Sequence, residues 1–195
     1  MPFSQPFPKI TFPVEHAQKG TVELELREAT TEDANTFART WKSTLDQHQR
    51  DDGNWEWAEH LQRAQGDPSF LCLAVTHDNE LDAMTSLKWD RAASRLVPGH
   101  DMLYIEYVGV APWHQSPPVG QRLIRGLGLL LVRTTVQLSF DLKLDGHVGL
   151  HAKPDVETFY RKIGMVEGER EQLPDGTWLY FEVGPAEANA LLGRR

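Results

Sequence analysis

The residues that could do chemistry start with two glycines. "IRGLGLLLV", Ile124 to Val132, sets Gly126 and Gly128 one residue apart, behind Arg125 and ahead of a leucine run. If a helix begins there, its first turn leaves backbone N–H groups without partners, and its dipole favours an anion. Glycines at such a turn let a phosphate approach the backbone. The plain alternative is a tight turn or a close helix contact, and the pair alone does not decide between them. A Walker loop is excluded, because Leu129 and Leu130 stand where a lysine and a hydroxyl are needed. A dinucleotide fingerprint is excluded too, since position 131 is leucine rather than the third glycine.

The elements that must position this loop can be read from periodicity. "VELELRE" alternates Val22, Leu24 and Leu26 with charges, the period of a half-buried strand. Thr30 and Asp33 form a capping-box pattern, after which Ala34, Phe37, Ala38, Trp41 and Leu45 share a helical face. A second helix is expected over 55–64, closed by Gly66-Asp67-Pro68. "FLCLAVTHDNELDAMTSLKW" reads as a hairpin turning at Asp78-Asn79. "MLYIEYVGV" is a strand ended by Pro112. Leu127, Leu131, Leu138 and Leu142 mark a long helix, and "HVGLHA" a short strand. Val156, Phe159, Tyr160 and Ile163 mark a short helix capped by Gly164, and "WLYFEV" is the last strand. The order β-α-α-β-β-β-α-β-α-β predicts an α/β fold with one mixed sheet. Residues 1–21, rich in proline, read as an N-terminal extension, and 22–195 as one domain.

Composition bounds the function. The chain has 195 residues, 40% hydrophobic and 25% charged, as an ordinary globular protein does. A net charge of −8 argues against a nucleic-acid binder, and no apolar run is long enough for a membrane span. Prolines where a signal peptide needs an apolar stretch, and the single Cys72, favour the cytoplasm. The lone cysteine also leaves no thiol metal cluster, and no metal is expected. A homodimer is the default assembly.

The succession "YIEYVGVAPW…RGLGLLLVRTTVQLS…HVGLHA…ETFYRKIGM" resembles the GNAT family of N-acetyltransferases over roughly residues 103–183. Leu123 departs from the basic residue or glutamine usual there, and the connection after Pro112 is long. The resemblance implies a GNAT-like sheet and acetyl-CoA as cosubstrate. It implies that Arg125, Gly126, Leu127, Gly128 and Leu129 cradle the pyrophosphate. The backbone of Val108, Gly109 and Val110 would pair with the pantetheine arm, with Gly109 serving a bulge or tight packing. Glu106 would be the base for a protonated primary amine, and Tyr160 the proton donor to the thiolate. His151 and Trp41 are candidates for the acceptor side, although a core role competes for both. The alternative function is a degenerate acyl-CoA-binding sensor or interaction module.

Overall fold

Ile10–His16 is where the fold first departs from expectation. A computed structural model of the chain describes residue 3 and residues 5–194, and Met1, Pro2 and Ser4 of the expected extension lie outside it. Within that stretch Ile10–His16 is a strand, β1, paired antiparallel with β2, Gly20–Glu28. Pro13 lacks an N–H, and β1 lies at the sheet edge where that donor is not needed. Gly20 closes the turn at a φ of +76°. Leu24 and Leu26 are buried, as the alternation of β2 requires.

The Thr30–Asp33 pattern starts a helix: the Thr30 N–H and hydroxyl donate to Asp33 at 2.7 and 2.8 Å. The helix runs as α1 (Thr31–Thr36), one π-helical turn (Phe37–Trp41) and α2 (Lys42–Gln47). Ala34, Phe37, Trp41 and Leu45 are buried as expected, while Ala38 is exposed. After a short 3-10 turn, α3 spans Trp57–Gly66. Strands β3 (Phe70–His77) and β4 (Glu80–Asp90) flank the expected turn, with Asp78 and Asn79 both at positive φ. Strand β5 covers Met102–Val110.

The C-terminal elements are α4 (Leu127–Asp141), β6 (Val148–Ala152), α5 (Glu157–Lys162), β7 (Val166–Leu173), β8 (Gly176–Val183) and α6 (Pro185–Leu191). The buried face of α4 uses Leu127, Leu131, Val132, Thr135, Val136 and Ser139; Leu138 and Leu142 are only half-buried. Strands β1, β7 and helix α6 were not expected. The eight strands form one mixed sheet in the order β1-β2-β3-β4-β5-β6-β8-β7, in which β5 and β6 are parallel.

The contacts define two compact units. The first comprises Met1–Ser86 with Tyr107–Gly128, and the second Leu87–Glu106 with Leu129–Arg195. The core of the first holds Phe37, Trp41, Leu45, Trp57, Leu61, Cys72, Leu81 and Met84. In the second, Val148, Leu150, Phe181 and Val183 are buried along β6 and β8. Among the described residues, no helix is long and apolar enough to cross a membrane.

Candidate functional site

In the first unit the long connection after β5 is folded on itself. Pro112–His114 makes a 3-10 turn, and the Trp113 carbonyl accepts the Gln121 and Leu123 N–H groups at 3.2 and 3.3 Å. The Arg122 N–H donates to the Gln115 carbonyl at 3.1 Å. A Cβ at Gly120 would stand 2.0 Å from the Pro112 carbonyl oxygen, so the fold admits only glycine there. The end of β1 pins the connection: Ala17 N–H donates to the Leu123 carbonyl at 2.7 Å, and Ile124 bridges to His16. The stretch read as an extension therefore anchors the glycine loop.

Beyond Ile124, Arg125 is exposed and Gly126 sits at a φ of +83° with open space where a Cβ would be. That φ is in the region L side chains avoid. Helix α4 begins at buried Leu127, with Gly128 and Leu129 half-buried in its first turn. The two glycines thus differ: Gly126 serves the backbone turn and leaves the helix entrance bare.

The direction of the β5 backbone groups follows from peptide geometry. The Ala111 N–H donates to the Asp82 carbonyl of β4 at 2.8 Å, and the Thr85 hydroxyl donates to the Tyr107 carbonyl at 2.8 Å. Groups on one side of a strand repeat every second residue, so the N–H groups of Val108 and Val110 point away from β4. The Val110 carbonyl is already taken, accepting from Gln115 Nε2 at 2.8 Å. Gly109 is explained by packing: a Cβ would meet Trp57 at 3.2 Å, Trp41 at 3.4 Å and Trp55 at 3.6 Å. Trp41 has no exposed surface, and its ring packs edge-on against Phe37 and Trp113. It is a core residue, not an exposed pocket wall. A groove of about 1080 Å³ also borders this unit, but its charges are largely paired, Asp33 with Arg27 and Glu32 with Arg39.

The second unit holds the remaining candidates: Glu106, Leu129, His151 and Tyr160. Its parallel ladder joins Leu103–Ile105 to Val148–Leu150, and His151 and Ala152 beyond it pair with Tyr180 and Leu179 of β8. Glu106 is half-buried on the same face of β5 as Tyr104. Nδ1 of His151 lies 2.6 Å from the Tyr104 hydroxyl, and its Nε2 lies 3.2 Å from Glu171. Burial holds His151 below the usual histidine range, against the pull of Glu171. Burial likewise pushes the Tyr104 phenol up, and the Glu106 charge adds to that. Glu171 is also ion-paired with Arg95, whose guanidinium lies 3.7 Å from the Tyr180 ring centre. Tyr160 is buried beside Phe181, ring centres 5.6 Å apart, and burial with Asp155 raises its phenol to about 12. It is therefore neutral at neutral pH and able to give a proton.

The structure thus joins Tyr104 to His151 by a hydrogen bond, sets Glu106 on the same face of β5, and ties the glycine loop to β1. Tyr104 and Glu171 escaped the sequence reading. The alternation of β5 could have found Tyr104, whereas nothing local pointed to Glu171. Among the described residues no group of three histidine, cysteine or carboxylate side chains could hold a metal ion.

No family model and no curated protein matches this sequence. Solved structures do match in fold. An uncharacterized protein from Bacillus halodurans superposes with a TM-score of 0.63 at 14% identity, over 94% of both chains. FeeM, an N-acyl amino acid synthase from uncultured soil microbes, gives 0.58 at 12% identity, over 86% of this chain and 93% of its own. A protein named as a GNAT-family acetyltransferase, from Desulfovibrio desulfuricans, gives 0.55 at 15% identity, over 83% and 99%. At these identities the likeness is one of fold: this chain has the mixed α/β architecture of structures named as GNAT acetyltransferases.

Proposed function

We propose that this chain is an acyl-CoA-dependent N-acyltransferase, moving an acetyl group from acetyl-CoA to a primary amine by direct attack in a ternary complex. The observation that carries the reading is Gly126. It holds a left-handed turn with open space on its α-carbon, directly before the first turn of a fifteen-residue helix. That arrangement suits a pyrophosphate, because unpaired N–H groups and the positive end of the helix dipole face the same opening. The GNAT-like fold supports it independently.

In this reading the backbone of Gly126–Leu129, with Arg125, receives the phosphates. The outward N–H groups of Val108 and Val110 pair with the extended arm, and the Val110 N–H polarises the acyl carbonyl. Acetyl-CoA supplies a thioester that is open to attack by a neutral amine. Glu106 draws the proton from the incoming ammonium, directly or through a water. Tyr160 gives a proton to the departing thiolate. His151 and Tyr104 carry the amine's proton onward.

The test is a thermal titration with CoA and acetyl-CoA, followed by thiol release in the presence of a panel of amines. Saturating ligand at a hundred times its dissociation constant stabilises by roughly 2.7 kcal/mol. Gly126→Val removes that shift; an unchanged shift in the variant rules out the phosphate cradle. Tyr160→Phe keeps binding and slows turnover by about a hundredfold. Binding with no turnover toward any amine leaves an acyl-CoA sensor instead.

A further inference from the structure

Three histidines and one aspartate lie together in the first unit, and none of them was given a role above. Asp82 has no exposed surface. One of its oxygens lies 2.7 Å from His77 Nδ1, and the other 2.6 Å from His114 Nε2. With both rings neutral, each donates its single proton to this carboxylate. That choice fixes the tautomers, because Nδ1 of His114 is left as an acceptor and receives the Ile124 N–H at 3.0 Å. The free Nε2 of His77 accepts from Lys19 Nζ at 3.2 Å.

Ile124 is two residues before Gly126. Its amide is held by His114 and its backbone by the bridge to His16. The base of the glycine loop is therefore held jointly by β1 and by one nitrogen of a ring that is bonded to a buried carboxylate. We infer that His114, oriented by Asp82, is the positioning residue of the glycine loop, and that a proton arriving at its Nδ1 releases the loop. This inference rests on the acyl-CoA reading of that loop. A proton on Nδ1 turns the acceptor into a donor facing the Ile124 donor, so the bond is lost and the two N–H groups repel. The charged ring keeps its bond to Asp82, and the strain falls on the loop.

The groups that face His114 come from every neighbouring element. Asp82 approaches from β4 and His77 from β3, backed by Lys19 and Glu80. His16 approaches from β1, its ring centre 6.5 Å away, and Trp113 from the same loop at 6.0 Å. Burial first, then the neighbouring His77, Lys19 and His114, keep His16 below the usual range. Of these rings, His114 is the one that bonds the Ile124 amide.

The experiment follows dephospho-CoA binding from about pH 8 to about pH 5, a range chosen to span histidine titration. Its pyrophosphate does not titrate there, so the protein's own protons are read. Hydrogen exchange of the Ile124 amide in the free protein, corrected for its intrinsic rate, is measured alongside. Affinity falls about two- to tenfold as pH drops, the worth of one hydrogen bond, and Ile124 loses protection over the same range. In His114→Asn the side-chain oxygen takes the acceptor position without titrating, and both profiles flatten. By linkage the wild type also releases protons on binding at acidic pH, which calorimetry in buffers of different ionisation heat reads without any variant. An unaltered profile in His114→Asn, pH-independent protection of Ile124, or binding without proton release overturns the inference. Absence of dephospho-CoA binding at every pH fails the acyl-CoA reading and leaves the Ile124 amide to decide the positioning role, which pH-independent protection overturns. A pH-dependent Ile124 amide would then show that the hold exists without its ligand.

Discussion

His114 and His151 each sit beside a carboxylate, yet the two settings give them different capacities. The Asp82 side chain is wholly buried, and both ring nitrogens of His114 are committed, one to Asp82 and one to the Ile124 amide. His151 faces a phenol on one side and, on the other, a Glu171 side chain that is 35% exposed. The Glu171 partner of His151 reaches solvent, whereas both partners of His114 lie in the interior. The contrast teaches that a histidine–carboxylate pair is not one device. Double commitment in the interior makes a positioner, and a half-open partner makes a group that can exchange protons.

The sharpest way to break this contrast is Asp82→Leu. It leaves two buried ring N–H donors without an acceptor, and stability falls by about 3–5 kcal/mol in urea denaturation. Glu171→Gln costs below about 1 kcal/mol, because its ion pairs are exposed and screened. Equal losses from the two substitutions would erase the distinction.

A third ring extends the comparison. His60 has a cation, Arg63, 2.9 Å from its Nδ1 and, among the described residues, no carboxylate bonded to it. Burial, then Arg63, lowers it to about 4. The folded state therefore binds fewer protons than the unfolded chain between about pH 6.5 and 4, so stability falls on acidification through that window. The loss is on the order of 2 kcal/mol, and His60→Gln removes it from the pH dependence of the urea midpoint. An identical acid limb in the variant would assign the loss elsewhere.

The smallest effect belongs to Tyr104→Phe. It removes one hydrogen bond to His151, about 1 kcal/mol, while displacing the pH–rate profile of the proposed acyl transfer. A shifted profile with little lost stability is what an exchangeable proton group predicts. An unshifted profile would make His151 a second positioner.

The sites were legible unevenly. Gly126 was readable because a left-handed turn before a helix has its own residue chemistry. Glu106 was readable as a charge in an apolar strand. Trp41, by contrast, could line a pocket or fill a core, and only its packing against Phe37 and Trp113 places it in the core. The Asp82 cluster draws on β1, β3, β4 and the loop after β5, so no local window contains it.

The sequence by itself determined the features whose energy is local. These include the capping of α1 by Thr30 and Asp33, the β3–β4 turn at Asp78-Asn79, strand β5, and the glycine at φ +89° that closes α5. Each depends on dihedral preference or periodicity within a few residues. Tertiary structure decided β7 and overrode the proline in β1. Ile10–His16 alternates Ile10, Phe12 and Val14 but is interrupted by Pro13, and Val166–Leu173 is half charged and mostly exposed, with no apolar alternation. Both are strands because a partner, β2 or β8, offers them a ladder of backbone hydrogen bonds. It likewise decided which histidines act together, because hydrogen-bond partners across a sheet depend on register and not on spacing along the chain.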